Sequence, residues 1–272
     1  MSIDLIHAKN EFADFLKRYP DQEEPGFRLK VIHTYHVAEN AAVLSEMLDL
    51  SEEDRELAEL IGLLHDIGRF EELRVTGELN NLSFDHAAYG VKMLFEDGMI
   101  RNFIREDGYD EIIRKAILYH SLKELPSGLK ERELLHARLI RDADKLDNFR
   151  VKIEEPTENL FPGRINSVRQ MEESVISPAI LTALLKGECA DIHDRVTPLD
   201  YYACIFGFAY DLNYACSRQR VLAKRYIEEM EERYVYRDEK TRKEMRMIRE
   251  SVLCYLKKEE LPYADQGNGT DG

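Results

Sequence analysis

The apolar run Leu60-Ile61-Gly62-Leu63-Leu64 ends on His65-Asp66, and that junction constrains the fold and chemistry of this chain more than any other feature. A histidine and a carboxylate leaving a buried helix face are costly to desolvate unless hydrogen-bond partners or a metal receive them. Neighbouring helical residues project about 100° apart. The pair can therefore share one cavity only at the helix edge, where the histidine holds one ion and the two-oxygen carboxylate bridges to a second. Two metals about 3.5–4 Å apart activate a water for attack on phosphorus. Taken alone, the dipeptide is common and reads as surface or capping residues, so the case depends on the rest of the chain.

The surrounding pattern is helical. Val37, Ala41, Leu44 and Leu48 recur at i, i+4, i+7 and i+11, one stripe of an amphipathic helix. Ser51-Glu52-Glu53-Asp54 then reads as the cap and acidic first turn of the helix that runs into His65-Asp66. Further helices are expected over 84–96, 110–120 and 130–149, separated by Gly77, Gly98, Gly108 and the Pro126-Ser127-Gly128 turn. No run alternates as a strand does, and the stretches at 73–75 and 234–236 are short enough to be loop. The expected fold is all-α. A five-helix core spans 25–153, a C-terminal helical extension spans 154–261 and packs on it, and a disordered tail spans 262–272. Pro156, Asn159, Pro162 and Gly163 mark the junction. Beyond it, Ile205, Phe208, Ala209, Leu212 and Cys216 form a buried-looking helical stripe, and the charge-rich stretch 218–257 reads as one or two long solvent-facing helices.

With 272 residues, 44% of them apolar, the chain can bury a substantial core. Its net charge of −15 repels nucleic-acid polymers and anionic membranes except at a locally basic site, which favours a small ligand. Cys189, Cys204, Cys216 and Cys254 form no C-x-x-C pair and read as free thiols in a reducing cytosol. The acidic N-terminus lacks a secretion signal, and no segment approaches the ~20 apolar residues of a membrane span. A soluble, cytoplasmic protein is expected.

Four residues extend the opening pair. His33 lies one turn before Val37, His120 follows Ile113 and Ala116 at helical spacing, and Asp144 follows Ala137 and Ile140. His86 lies four before Gly90 and seven before Met93. Helices that each turn a His or Asp inward are hard to explain by chance burial, whereas metal coordination satisfies them together. His36 is rotated about 60° from the Val37 stripe, a position for a substrate-facing or surface residue.

The chain resembles the HD-domain metal-dependent phosphohydrolase superfamily. The matching residues are His33-Thr34-Tyr35-His36-Val37-Ala38, Leu63-Leu64-His65-Asp66-Ile67-Gly68-Arg69 and Ala143-Asp144-Lys145-Leu146-Asp147, and the likeness covers roughly residues 25–150. The resemblance implies an all-α fold with metal held by His33, His65, Asp66 and Asp144. Members with a second metal place further histidines where His86 and His120 stand. The branch acting on cyclic di-GMP carries adjacent histidines and a Gly-Tyr-Pro loop, but here Tyr119-His120-Ser121 is followed by Leu125-Pro126-Ser127-Gly128. The leading expectation is hydrolysis of a phosphate ester or anhydride on a small molecule, with a nucleotide as the preferred class. Two divalent ions (Mn, Fe, Zn, Ni or Mg) are the expected cofactors, bridged by Asp66, with Arg69 and Lys145 as phosphate contacts. Asp147 is expected to orient a metal-bound water or to cap a buried network. The histidine inventory also looks like that of HD-domain diiron oxygenases acting on a small polyol or phosphonate, and a metal-retaining nucleotide sensor is a third reading.

Overall fold

A computed structural model describes residues 3–19, 23–77 and 83–258. The protein is 71% helical, with no strand among the described residues. The expected tail, 262–272, lies outside them.

Helices α1 (Leu5–Leu16), α2 (Pro25–Met47), α3 (Glu52–Leu64) and α4 (Ile67–Thr76) come first. Then follow α5 (His86–Val91), α6 (Ile100–Phe103), α7 (Asp110–Tyr119) and α8 (Glu131–Glu154). Starts are set by side chains that satisfy the first free N–H groups. Ser51 accepts from the Asp54 amide ahead of α3, Asp85 accepts from Ala88 ahead of α5, and Glu24 with Pro25 opens α2. Gly77 closes α4 in the left-handed conformation.

Helices α2, α3 and α8 form the centre, and α2 and α3 approach closely because Gly62 lacks a side chain. A Cβ there would lie 2.7 Å from the Ala38 Cα. The sequence reading begins the core at residue 25, but α1 belongs to the same body: Ala8, Phe12 and Phe15 are buried, with Phe12 and Phe15 against Phe70. Two boundaries also differ from expectation. The 84–96 segment is α-helical only to Val91 and continues as a π-helical turn over Lys92–Glu96. Helix α8 runs five residues past Phe149, supported by Arg150 pairing with Asp147 and Glu154.

The extension continues with α9 (Thr157–Leu160), α10 (Val168–Glu173), α11 (Pro178–Lys186) and α12 (Pro198–Ala203). It ends with α13 (Ala215–Ala223), α14 (Tyr226–Glu232) and α15 (Glu239–Leu256). The stripe through Ile205 and Leu212 is not one helix, because Cys204–Asp211 winds as a 3₁₀-helix and Leu212 is extended. The stretch 218–257 forms one long helix with a solvent-facing side, α15, preceded by two short ones. Arg225 breaks it with φ of +53°, and Val221, Ile227, Met230, Met245, Ile248 and Val252 bury one side. The stretch at 73–75 ends α4 and that at 234–236 is loop.

Candidate metal centre

Five segments bring side chains to one buried point beside α2. His65 and His120 each follow the last residue of a helix, α3 and α7. Each uses its Nδ1 to reach the carbonyl three residues back, Gly62 and Ile117, both at 2.7 Å. A ring whose Nδ1–H donates to a carbonyl presents an unprotonated Nε2 on its other side. His33 is held in the same sense by Asp147, whose Oδ2 lies 2.6 Å from its Nδ1. Asp66 stands at the start of α4, where an aspartate ordinarily accepts an amide of the first turn. Its side chain makes no such bond and turns to the histidines instead.

The two oxygens of Asp66 face different neighbours. Oδ2 lies 3.7 Å from His33 Nε2 and 3.4 Å from His65 Nε2. Oδ1 lies 3.5 Å from both His86 Nε2 and His120 Nε2. Those last two nitrogens are 3.2 Å apart, and Asp144 Oδ1 closes the first side at 3.1 Å from His33 Nε2. His33, His65 and Asp144 thus form one compact donor group, and His65, Asp66 and His120 a second. All are buried except Asp144, whose side chain is 23% exposed.

Electrostatics match this geometry. Burial pushes the Asp66 carboxyl up, but Lys30 and His65 more than offset it and hold the group well below the usual carboxylate range. Burial likewise raises Asp144, and His33 and His65 reverse the shift. Burial draws His86 down to about 2, leaving it a neutral donor. For His33, burial and Lys30 act downward, yet the neighbouring carboxylates of Asp144 and Asp147 carry it upward. The buried Nε2 atoms of His33 and His65 have no hydrogen-bond partner. Unsatisfied imidazole nitrogens converging with carboxylate oxygens are the donor set a divalent transition ion takes, so the residues present fit a metal.

The other expected site residues fall in different places. Arg69 stays beside the cluster, its Nε 3.7 Å from Asp66 Oδ1, with Nη1 held 2.6 Å from Glu72. Lys145 does not join it. Its ammonium lies 2.8 Å from Asp211 and 3.4 Å from the Arg141 carbonyl, because the 100° turn from Asp144 aims it at the extension. His36 is half-buried beside Glu39. Lys30, which the sequence reading passed over, places Nζ 2.5 Å from Asp66 Oδ2. Its signal was present, since it lies one turn before His33 on the same side of α2.

Residues 31–148 match the family model described as HD domain. No curated protein and no solved structure matches the chain. HD domains bind divalent metals, and the two donor groups are compatible with that. No helix among the described residues is long and apolar enough to cross a membrane. The helical segment 31–148, with the His and Asp residues gathered in it, is similar to the HD domain, and that match supports the HD-domain superfamily.

Proposed function

We propose that this protein is a metal-dependent phosphohydrolase that cleaves a phosphate ester or anhydride of a small molecule, with nucleotides as the first class to test. The observation that carries this reading is the division of Asp66, one oxygen toward His33 and His65 and the other toward His86 and His120. That division suits two ions: one held by His33, His65, Asp66 and Asp144, the other by Asp66, His86 and His120. Divalent metals supply an acidified water and charge neutralisation for attack at phosphorus.

The chain's own residues account for the rest. Asp147 fixes the His33 ring, and the Gly62 and Ile117 carbonyls fix His65 and His120, so the donors are oriented before any ion arrives. Lys30 and Arg69 flank Asp66 and give a strongly acidic protein a locally cationic rim where an anionic substrate binds. Burial excludes bulk water from the donors and strengthens each of these interactions.

Protein purified without chelators is expected to carry divalent metal and to release phosphate from members of a nucleotide and phosphomonoester panel. Asp66→Ala loses both metal and turnover. Arg69→Ala keeps metal and loses kcat/KM, because a phosphate contact acts on substrate alone. Oxygen uptake from a polyol or phosphonate without phosphate release overturns the hydrolase and establishes the diiron oxygenase reading. Unchanged metal content in Asp66→Ala overturns the site itself.

A further inference from the structure

Three cations are buried among the described residues: Arg141, Lys145 and Lys152. Arg141 and Lys145 share the carboxylate of Asp211. Lys152, only 6% exposed, has no carboxylate partner among the described residues, and its ammonium rests 4.8 Å from the centre of the Phe161 ring. A buried ammonium with no counter-ion is costly to keep unless an anion is to be received there.

Its position indicates which anion. Asp144, Asn148 and Lys152 fall at i, i+4 and i+8 on one side of α8, and Asn148 donates to Asp144 Oδ1 at 2.9 Å. Lys152 is thus about 12 Å along the helix axis from Asp144. Helical side chains lean toward the N-terminus, which brings its ammonium back toward Asp144. The carboxylates on this side are engaged: Asp147 holds His33 and Arg150, and Asp144 meets His33 and Asn148. The open edge of the centre is the same edge, since Asp144 is 23% and Lys30 15% exposed while the histidines are closed off. Burial, with Lys30 acting in the same direction, draws the Lys152 ammonium down to about 8.

We propose that Lys152, with Lys30, forms a second anion subsite beside the metal centre, and that the substrate carries a second phosphate group in addition to the one at the metals. This rests on the phosphohydrolase reading for the first phosphate. Phe161, from the loop after α9, covers the Lys152 ammonium, so the extension contributes one wall of the subsite.

The test is calorimetric titration of the metal-loaded protein with inorganic phosphate, methylenediphosphonate, which resists hydrolysis, and phosphonoacetate. The wild type is expected to bind the diphosphonate more tightly than either other ligand. Lys152→Met should weaken the diphosphonate by roughly ten- to a hundredfold, the range of one charge-assisted hydrogen bond. It should leave phosphate within roughly twofold, with metal content and melting temperature maintained. Lys152→Arg should restore most of the loss. Equal losses for phosphate and diphosphonate, or no loss for either, overturn the subsite, and preference for phosphonoacetate overturns the second phosphate. Phosphate release from the panel without discrimination by Lys152 variants removes this inference and leaves hydrolysis standing. Discrimination without phosphate release does the reverse.

Discussion

Among the described residues Asp147 makes no hydrogen bond or ion pair with Asp66, His65, His86 or His120, yet it decides what His33 can do. Its Oδ2 takes the His33 Nδ1–H at 2.6 Å, while Arg150 secures its Oδ1 at the same distance. An anionic partner behind a ligating imidazole fixes the ring and raises its basicity. Asp147→Asn, of the same size but without the charge, is expected to lower metal affinity by roughly ten- to a hundredfold. Competitive chelator titration measures it, and an unchanged affinity would show that Asp147 only ties Arg150 to the helix. Asp147, like Lys30 and Lys152, shows why single residues were unevenly legible in the sequence. His33, His65, His86, His120 and Asp144 announce themselves because their chemistry is rare on apolar stripes. Lys30 and Lys152 do not, since most lysines on helices are solvated. Lys145 was misplaced because adjacency to Asp144 in sequence means a quarter-turn of separation on a helix.

At the scale of elements, the second donor group depends on how tightly α4 meets α5. Gly68 lies against the start of α5, where an added Cβ would stand 2.1 Å from the His86 carbonyl and 2.8 Å from the Gly90 amide. Those atoms are backbone and cannot swing aside. Gly68→Ala should therefore destabilise the fold by about 1–3 kcal/mol and displace His86, lowering metal content per folded chain. Gly108→Ala, in open space, is the control that should alter neither in thermal melts and metal analysis. A second junction, α3 against α8, brings pH dependence. His136 is buried with Nε2 2.9 Å from Asp54, and burial lowers its pKa despite that carboxylate. A histidine lowered in the folded state binds its proton more readily unfolded. Its contribution is therefore complete above the unfolded value near 6.5 and is lost as pH falls below it toward the folded value, by at most about 1.4 kcal/mol per pH unit. The melting temperature of metal-free wild type should fall between pH 7 and 5 more steeply than that of His136→Gln; equal slopes would assign the fall to other groups. Periodicity made these helices visible, but the glycine contact was not, because a close approach is a property of two elements that no single stripe encodes.

Over the whole molecule, α8 is shared property, and this decides whether core and extension can be separated. One side of it carries Asp144 and Asp147 into the metal centre. An adjacent face carries Arg141, which binds the backbone carbonyls of Leu122 and Lys123 and the Asp211 carboxylate. Next to it Asp142 accepts the Asn213 and Tyr214 amides ahead of α13. Farther along, Phe149 stacks on Tyr226, and Arg233 donates to the Lys152 and Glu155 carbonyls. The sequence reading saw a junction in the Pro and Gly residues after 154 because composition marks a change of element. Composition is silent on polar groups that meet across about 70 residues. With buried charges and apolar surface on both sides of one helix, we expect core and extension to unfold together. Calorimetry should show a single transition, and a chain ending at Glu154 should not fold, since it strips Asp142 of its amide donors and Arg141 and Lys145 of their shared carboxylate. Asp211→Asn is the milder version. It leaves Arg141 and Lys145 without their shared carboxylate and should cost about 1–3 kcal/mol, below the fully buried figure because Asp211 is about a third exposed. Because Arg141 also grips the loop that follows His120, metal content should fall along with the melting temperature. Two calorimetric transitions, or an Asp211→Asn protein that melts like the wild type, would instead make the extension an independent domain resting on a self-sufficient core.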